Sequence, residues 1–337
     1  MTMDGLLVID KPVGPSSHDI VARARRALGE TRIGHTGTLD PGASGVLPLV
    51  IGKATRLARF LSASDKSYDA VIQLGWSTDT GDGHGAIVGD RYDGLLPARD
   101  AIEDALGSFR GCFLQQPPVY SAKKIDGQRS YRLARAAAAR RTPRASSITA
   151  SSAAVTDTPP PDTPRQPAPV AVTAHSLVIL SVEAGRVVLR VECSAGFYVR
   201  SLAHDLGERL GTGGHLVGLR RTRSGDYGLT EAIPIDAIER DRDAAVAGFV
   251  PLAMMLPRLP SVVLTAEGLT RARHGRELAT SDRVSSSLPA DVADSVDTRG
   301  LHEADRWIRL LAPDGELVGL ARPLAGSAIL HPSVVLI

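Results

Sequence analysis

The chain reads as a mixed α and β protein in two parts. Three observations lead there. Its 337 residues are long for one core, which suggests a large domain and a smaller one. Hydrophobic residues make up 43% and aromatics only 4%, so a core can form and must be mostly aliphatic. Stretches with strand alternation and stretches with helical spacing both recur, from the N-terminus to the tail.

The elements follow in order. Leu6-Leu7-Val8-Ile9 reads as a short buried strand. Ser16 and Asp19 form a capping-box pattern ahead of Ile20, Val21, Ala24 and Leu28, and Gly29 follows. That predicts an amphipathic helix over 17–28, with Arg23, Arg25 and Arg26 on a solvated face. Residues 46–51 read as a strand or an apolar edge, 54–61 as a short helix and 68–74 as a strand. Thr78-Asp79-Thr80-Gly81-Asp82-Gly83 resembles a calcium loop superficially but lacks the later bidentate Glu, so it reads as a turn-rich loop and not a metal site. Residues 99–110 fit a helix with Ile102, Leu106 and Phe109 on one face.

From about 136 to 172 the chain is Ala, Arg, Ser, Thr and Pro, centred on Pro159-Pro160-Pro161. Such a composition cannot bury a core, and 141–168 is read as a passive insertion. Order resumes at 175–180 and 187–193, with a clear strand over 187–192. Leu202, Leu206 and Leu210 then line one helix face that Gly211 ends. After Pro251 come a helix at 265–274, stopped by Gly275, and a hairpin of 307–311 and 316–320 around Asp314-Gly315. The expected division is a larger domain over 1–250 and a β-rich module over 262–337.

Charge and cysteine usage narrow the function classes. The net charge is +2, too weak to identify a nucleic-acid partner alone. The basic residues are nearly all Arg, which suits bidentate phosphate contacts; the lysines are Lys11, Lys53, Lys66, Lys123 and Lys124. Cys112 and Cys193 lie far apart with no metal-ligand spacing, so free thiols are expected, with Cys193 in core packing. The start lacks a signal-like pattern, and no apolar run reaches the roughly 20 residues of a membrane span. A cytoplasmic, soluble protein without a membrane partner is expected.

Gly34-His35-Thr36-Gly37-Thr38-Leu39-Asp40-Pro41-Gly42-Ala43-Ser44-Gly45-Val46-Leu47 is the most informative stretch. It displays one acid, Asp40, among residues that turn tightly, with apolar neighbours at both ends. Pro41 pushes Asp40 away from the α region. A carboxylate displayed this way suits covalent or acid/base work.

This stretch resembles the catalytic motif of the tRNA pseudouridine synthase B family, which also includes the dyskerin-type synthases. Five further stretches are similar to the family in the family's order. Gly5-Leu6-Leu7-Val8-Ile9-Asp10-Lys11-Pro12 with Gly14-Pro15-Ser16-Ser17 resembles its N-terminal signature, and Lys66-Ser67-Tyr68 its K-x-Y strand. Gln116-Pro117-Pro118-Val119-Tyr120-Ser121-Ala122 resembles its Pro-Pro stretch. Residues 193–202 resemble its C-S-x-G-T-Y-I-R pattern, with Phe197 in place of the usual Thr. His215 to Thr222 resembles its last motif, so the resemblance covers roughly 5–230.

The resemblance implies an α+β pseudouridine synthase fold around a mixed or antiparallel sheet, with a small PUA-like RNA-binding domain at 262–337. It implies isomerisation of uridine to pseudouridine at position 55 in the T loop of tRNA, without cofactor or metal, by a monomer. Asp40 is then the nucleophile, or the base that starts glycal formation. Arg200 pairs with it, and Tyr68 stacks on the flipped uracil and helps to remove the C5 proton. Tyr198, two residues before Arg200 on the same side of a strand, lines the pocket, and Leu219 supplies an apolar wall. His35 meets the displaced base pair, and Lys11 supports the loop or the RNA. Arg220, Arg221, Arg223, Lys123 and Lys124 are candidate phosphate contacts. A guide-dependent synthase and a non-catalytic RNA chaperone are the alternatives. The direct enzyme is preferred because the signature lies almost at the start and Asp40, Tyr68 and Arg200 are all present.

Overall fold

The computed structural model describes residues 3–121, 123–125, 128–129, 167–286, 307–324 and 327–336. The apolar opening forms β1 (Gly5–Lys11). It leads into α1 (Ser17–Leu28), which has the expected reciprocal cap between Ser16 and Asp19 and a left-handed Gly29 at its end. α1 buries Ile20, Val21, Ala24 and Leu28. Its arginines are not simply solvated: Arg23 pairs with Asp236 and Glu239, and Arg25 donates to the Ile33 carbonyl. β2 (Ile33–His35) and β3 (Ala43–Ile51) follow, and β1 pairs antiparallel with β3 from Gly5↔Ile51 to Lys11↔Gly45. The expected short helix is a 3-10 turn, Gly52–Leu57, running into α2 (Ala58–Ser62). Gly52 is required at that junction: it has φ +60°, and a Cβ there would sit 2.1 Å from an Asp4 carboxylate oxygen.

The middle of the chain, Asp65–Thr222, is one compact unit. It holds β4 (Lys66–Leu74), the two-residue strands β5 (Ser77–Thr78) and β6 (Ile87–Val88), and α3 (Arg99–Gly107). Then come β7 (Gly111–Gln115), β8 (Lys124–Ile125) and β9 (Gln128–Arg129). β10 (Val170–Glu183), β11 (Arg186–Cys193), α4 (Val199–Arg209) and β12 (Gly214–Ser224) complete the series. The sheet runs β12-β4-β11-β10-β7, with β4/β11, β11/β10 and β10/β7 antiparallel.

Two expectations change here. Phe109 lies beyond α3, which ends at Gly107, and meets Phe113 edge-on instead. The low-complexity stretch does not reach 172, because β10 begins at Val170 and buries Val172 and Ala174; alternation with Thr and Ala hides that start. The remainder of the proposed insertion, up to residue 166, lies outside the described residues.

The other compact unit combines Met1–Ser64 with Arg223–Ile337. β13 (Tyr227–Gly228), β14 (Ile233–Pro234), α5 (Ile235–Arg240), α6 (Arg242–Ala247) and β15 (Phe249–Pro251) follow β12. β14 pairs parallel and β15 antiparallel with β1. The expected β-rich tail is a five-stranded sheet. It comprises β16 (Ser261–Leu264), β17 (Arg283–Ser286), β18 (Ile308–Leu311), β19 (Leu317–Pro323) and β20 (Leu330–Val335), in the order β17-β16-β18-β19-β20. Its helix, α7 (Ala266–Arg273), is capped by Thr265. One core lies beneath α7, built on Val262, Leu264, Ala272, Ile308 and Leu310. A second joins Trp307, Leu317, Leu320 and Leu336 to Leu6, Val8, Val46, Val50 and Leu57. The tail and the N-terminal strands therefore share apolar packing.

Candidate active site

Asp40 sits on the loop between β2 and β3, and the backbone around it is tied at several points. The Ser17 hydroxyl accepts from the Leu39 N–H (2.8 Å) and donates to the Leu39 carbonyl (3.0 Å). The Gly14 N–H reaches the Pro41 carbonyl at 2.9 Å, and the Ala43 N–H closes a turn on the Asp40 carbonyl at 3.0 Å. Lys11 is fully buried, and its Nζ donates to the carbonyls of Ala43 (2.7 Å) and Pro12 (2.8 Å). The ammonium of Lys11 thus ties the end of β1 to the loop, and hydrogen bonds offset its desolvation. The Thr36 N–H bonds the Pro48 carbonyl, and His35 meets His18 edge-on at 5.3 Å. Gly37 and Gly45 have φ of +128° and +100°, conformations that a side chain would strain. Leu39 is buried, whereas Asp40 beside it is only half-buried. The loop is held firmly and still offers its carboxylate.

A second group lies on the middle unit. Tyr68 is 8% exposed on β4, opposite Val191. Lys66, two residues earlier on the same face, is buried as well. Burial, and then the charge of Arg221, push its ammonium down to about 8. Arg221 is 1% exposed, so it does not serve as the open phosphate contact expected of it. Arg220 and Leu219 are half-buried on β12, and Arg223 donates to the Gly225 carbonyl. Lys123 is half-buried, and the side chain of Lys124 lies outside the described residues.

Tyr198 and Arg200 do not share a strand face as expected. Tyr198 is the extended N-cap residue of α4, and Arg200 stands in its first turn. The helix starts here because the apolar spacing of Leu202 and Leu206 begins at once. The Gln115 amide grips the Tyr198 peptide from both sides, accepting from its N–H (2.8 Å) and donating to its carbonyl (3.0 Å). Ser201 Oγ donates to the Gln116 carbonyl at 2.7 Å. The buried Arg200 guanidinium donates to the carbonyls of Tyr120 (2.7 Å) and Thr80 (3.2 Å).

The 78–83 loop is therefore a brace. Asp82 gathers it by accepting from the Thr80 hydroxyl (2.8 Å), and backbone bonds between Gly81, Gly83 and Leu216 stitch it to β12. Among the described residues no group of three or more His, Cys, Asp or Glu is placed to hold a metal ion.

The predicted residues thus stand in two groups. Lys11, His35 and Asp40 belong to one compact unit, and Tyr68, Tyr198, Arg200 and Leu219 to the other. Ser17, Thr80 and Gln115 were missed as supports. Gln115 had a readable signal, since the family's Q-x-P-P spacing begins at Gln115 and not at Gln116.

The fold is that of a pseudouridine synthase. A chain of a Cbf5–Nop10–Gar1 complex superposes with a TM-score of 0.68 at 24% identity, covering 99% of this chain and 85% of that one. A chain of an archaeal box H/ACA Nop10–Cbf5 complex gives 0.67 at 21%, covering 100% and 87%. The model of the TruB family pseudouridylate synthase N-terminal domain matches residues 25–164, and that of the tRNA pseudouridylate synthase B C-terminal domain matches 200–247. The tRNA pseudouridine synthase B of Solibacter usitatus is 37% identical over 99% of this chain and 100% of its own length. That of Cupriavidus metallidurans is 38% identical over 96% and 91%. The chain belongs to the TruB family of pseudouridylate synthases and is an isomerase.

Proposed function

We propose that this protein converts uridine to pseudouridine at position 55 in the T loop of tRNA, with Asp40 as its nucleophile. The observation that carries the reading is the tied loop, whose backbone is bonded on both sides of a half-buried Asp40 carboxylate. The full-length likeness to relatives named for tRNA supports the substrate class. The reaction breaks the C1′–N1 bond, turns the uracil and joins C1′ to C5. The C5 proton leaves and N1 gains one, so no atoms are added overall and the balance calls for no redox partner.

In this reading Asp40 attacks C1′ or starts glycal formation, and Arg200 is the cation that pairs with it. Tyr68 stacks on the uracil and helps to take the C5 proton. Tyr198 and Leu219 line the base pocket, His35 meets the displaced pair, and Lys11 supports the loop. A stacked uridine cannot reach a carboxylate, so it is flipped out at a cost of about a few kcal/mol. Shape recognition of the T arm and phosphate contacts from Arg220, Arg223 and Lys123 offset that cost. The C-terminal sheet acts as a PUA-like RNA-binding module, and the enzyme works as a cytoplasmic monomer.

Tritium release from tRNA labelled at C5 of uridine tests the assignment. Release from a tRNA with the T-loop uridine is expected, and none from one carrying cytidine there. Equal release from both would move the site elsewhere.

A further inference from the structure

We propose that Ser17 is a positioning residue for the reaction: its hydroxyl is a two-way latch that fixes the loop at Leu39, one residue before Asp40. The inference rests on Asp40 as nucleophile and deepens that reading. Ser17 opens α1 and is almost wholly buried. A serine hydroxyl has one proton to give and lone pairs to receive. Here both functions go to the backbone of one residue, since the oxygen takes the Leu39 N–H at 2.8 Å and the proton goes to the Leu39 carbonyl, in the peptide that leads to Asp40, at 3.0 Å.

The adjacent serine divides the work. Ser16 caps α1 with Asp19, so helix capping makes no demand on the Ser17 hydroxyl. The latch sits on a helix that is itself packed in place, because α1 buries Ile20, Val21, Ala24 and Leu28, and Arg23 adds pairs with Asp236 and Glu239 on α5. Downstream, Gly14, Lys11 and the Ala43 turn hold the loop from the other side. The backbone of Asp40 is thus fixed between two anchors, and little beyond side-chain rotation is left to it. Without the hydroxyl, two buried backbone groups at Leu39 lose this partner, and the loop loosens at that residue. A nucleophile displaced by about 1 Å loses about 10²-fold in rate.

The test compares Ser17→Ala, Ser17→Thr and Ser17→Val with wild type, on full-length tRNA. The readouts are the single-turnover rate, the tRNA Kd, and hydrogen exchange at the Leu39 amide. The expected result for Ser17→Ala is a rate about 10–100-fold lower, with unchanged tRNA affinity. Leu39 exchanges faster while β1 and β3 stay protected. If the alanine variant does not fold, Thr against Val decides, since the two have the same shape and differ in the hydroxyl; Thr should be the faster by about tenfold or more. Equal Thr and Val rates overturn the latch, as does a wild-type rate in Ser17→Ala. So does a rate loss matched by weaker tRNA binding and general loss of protection. Asp40→Asn run alongside keeps the two readings apart. If it turns over, the nucleophile assignment fails and takes the latch with it. If it is inert while Ser17→Ala is normal, only the latch fails.

Discussion

At the residue scale, the side chains of the candidate site are held mostly through backbone carbonyls and N–H groups. Arg200 illustrates this, since Thr80 and Tyr120 receive its guanidinium through main-chain oxygens. Such contacts leave little trace in sequence, because any residue can supply a carbonyl. Asp40 was legible because Gly, Pro and a lone acid form an unusual local string, whereas Gln115 is marked only by its spacing to Pro117 and Pro118, and its contact with Tyr198 shows only once β7 places it there. Gln115→Leu should remove both side-chain hydrogen bonds to the Tyr198 backbone, cost about 1–3 kcal/mol in urea unfolding, and lower the single-turnover rate more than tRNA affinity. An unchanged rate would remove Gln115 from a positioning role. Lys66 makes a pH prediction. Its unfolded value is near 10.5, and burial followed by the Arg221 charge brings it to about 8 when folded. Between those values the unfolded chain binds more protons, so this group lets stability rise with pH from about 8 towards 10.5. Tyr227, pushed up to about 12 by burial, acts in the opposite direction only above about pH 10. Any advantage of Lys66→Met over wild type should therefore shrink between pH 8 and 9.5 in urea unfolding. A constant difference across that window contradicts a depressed Lys66.

At the element scale, periodicity identified α1, β1, β3, β11 and α7 well, because each buries one apolar set against a clear boundary residue. β7, β12, α5 and α6 were not read. β12 carries Arg220, Arg221 and Arg223 along its length, so its sequence looks like a charged surface although Arg221 is buried. The spacing that ends α4 is sharper than a helix pattern conveys. A Cβ on Gly207 would lie 2.1 Å from the Gly214 nitrogen and 2.2 Å from the Gly213 carbonyl carbon. Backbone cannot rotate away as a side chain can, so Gly207→Ala should destabilise by about 1–3 kcal/mol or more. Thermal unfolding checks this; an unchanged midpoint would mean that α4 and β12 separate easily.

At the scale of the whole molecule, the tail is joined to the N-terminal strands by a common core, a link that no local pattern announces. Trp307 is its centre: it is 5% exposed, meets Phe60 edge-on at 4.8 Å, and lies beneath the Arg59 and Arg322 guanidinium groups. Trp307→Ala should cost about 3–5 kcal/mol, and loosen β1 and β3 in hydrogen exchange as well as the tail itself. Loss of protection confined to the tail would show that the shared core is not cooperative. The low-complexity stretch should matter far less, so deleting 141–168 is expected to leave activity largely intact. A large rise in KM for tRNA would make it an RNA tether instead. The α+β class was legible from alternating patterns, but the fold itself came from ordered motifs, because strand pairing across distant segments has no local signature. Whether Asp40 performs the chemistry is decided by single-turnover tritium release from Asp40→Asn, measured beside its tRNA Kd. No release is expected, with tRNA affinity within a few-fold of wild type; substantial release from that variant would remove Asp40 from the role of nucleophile.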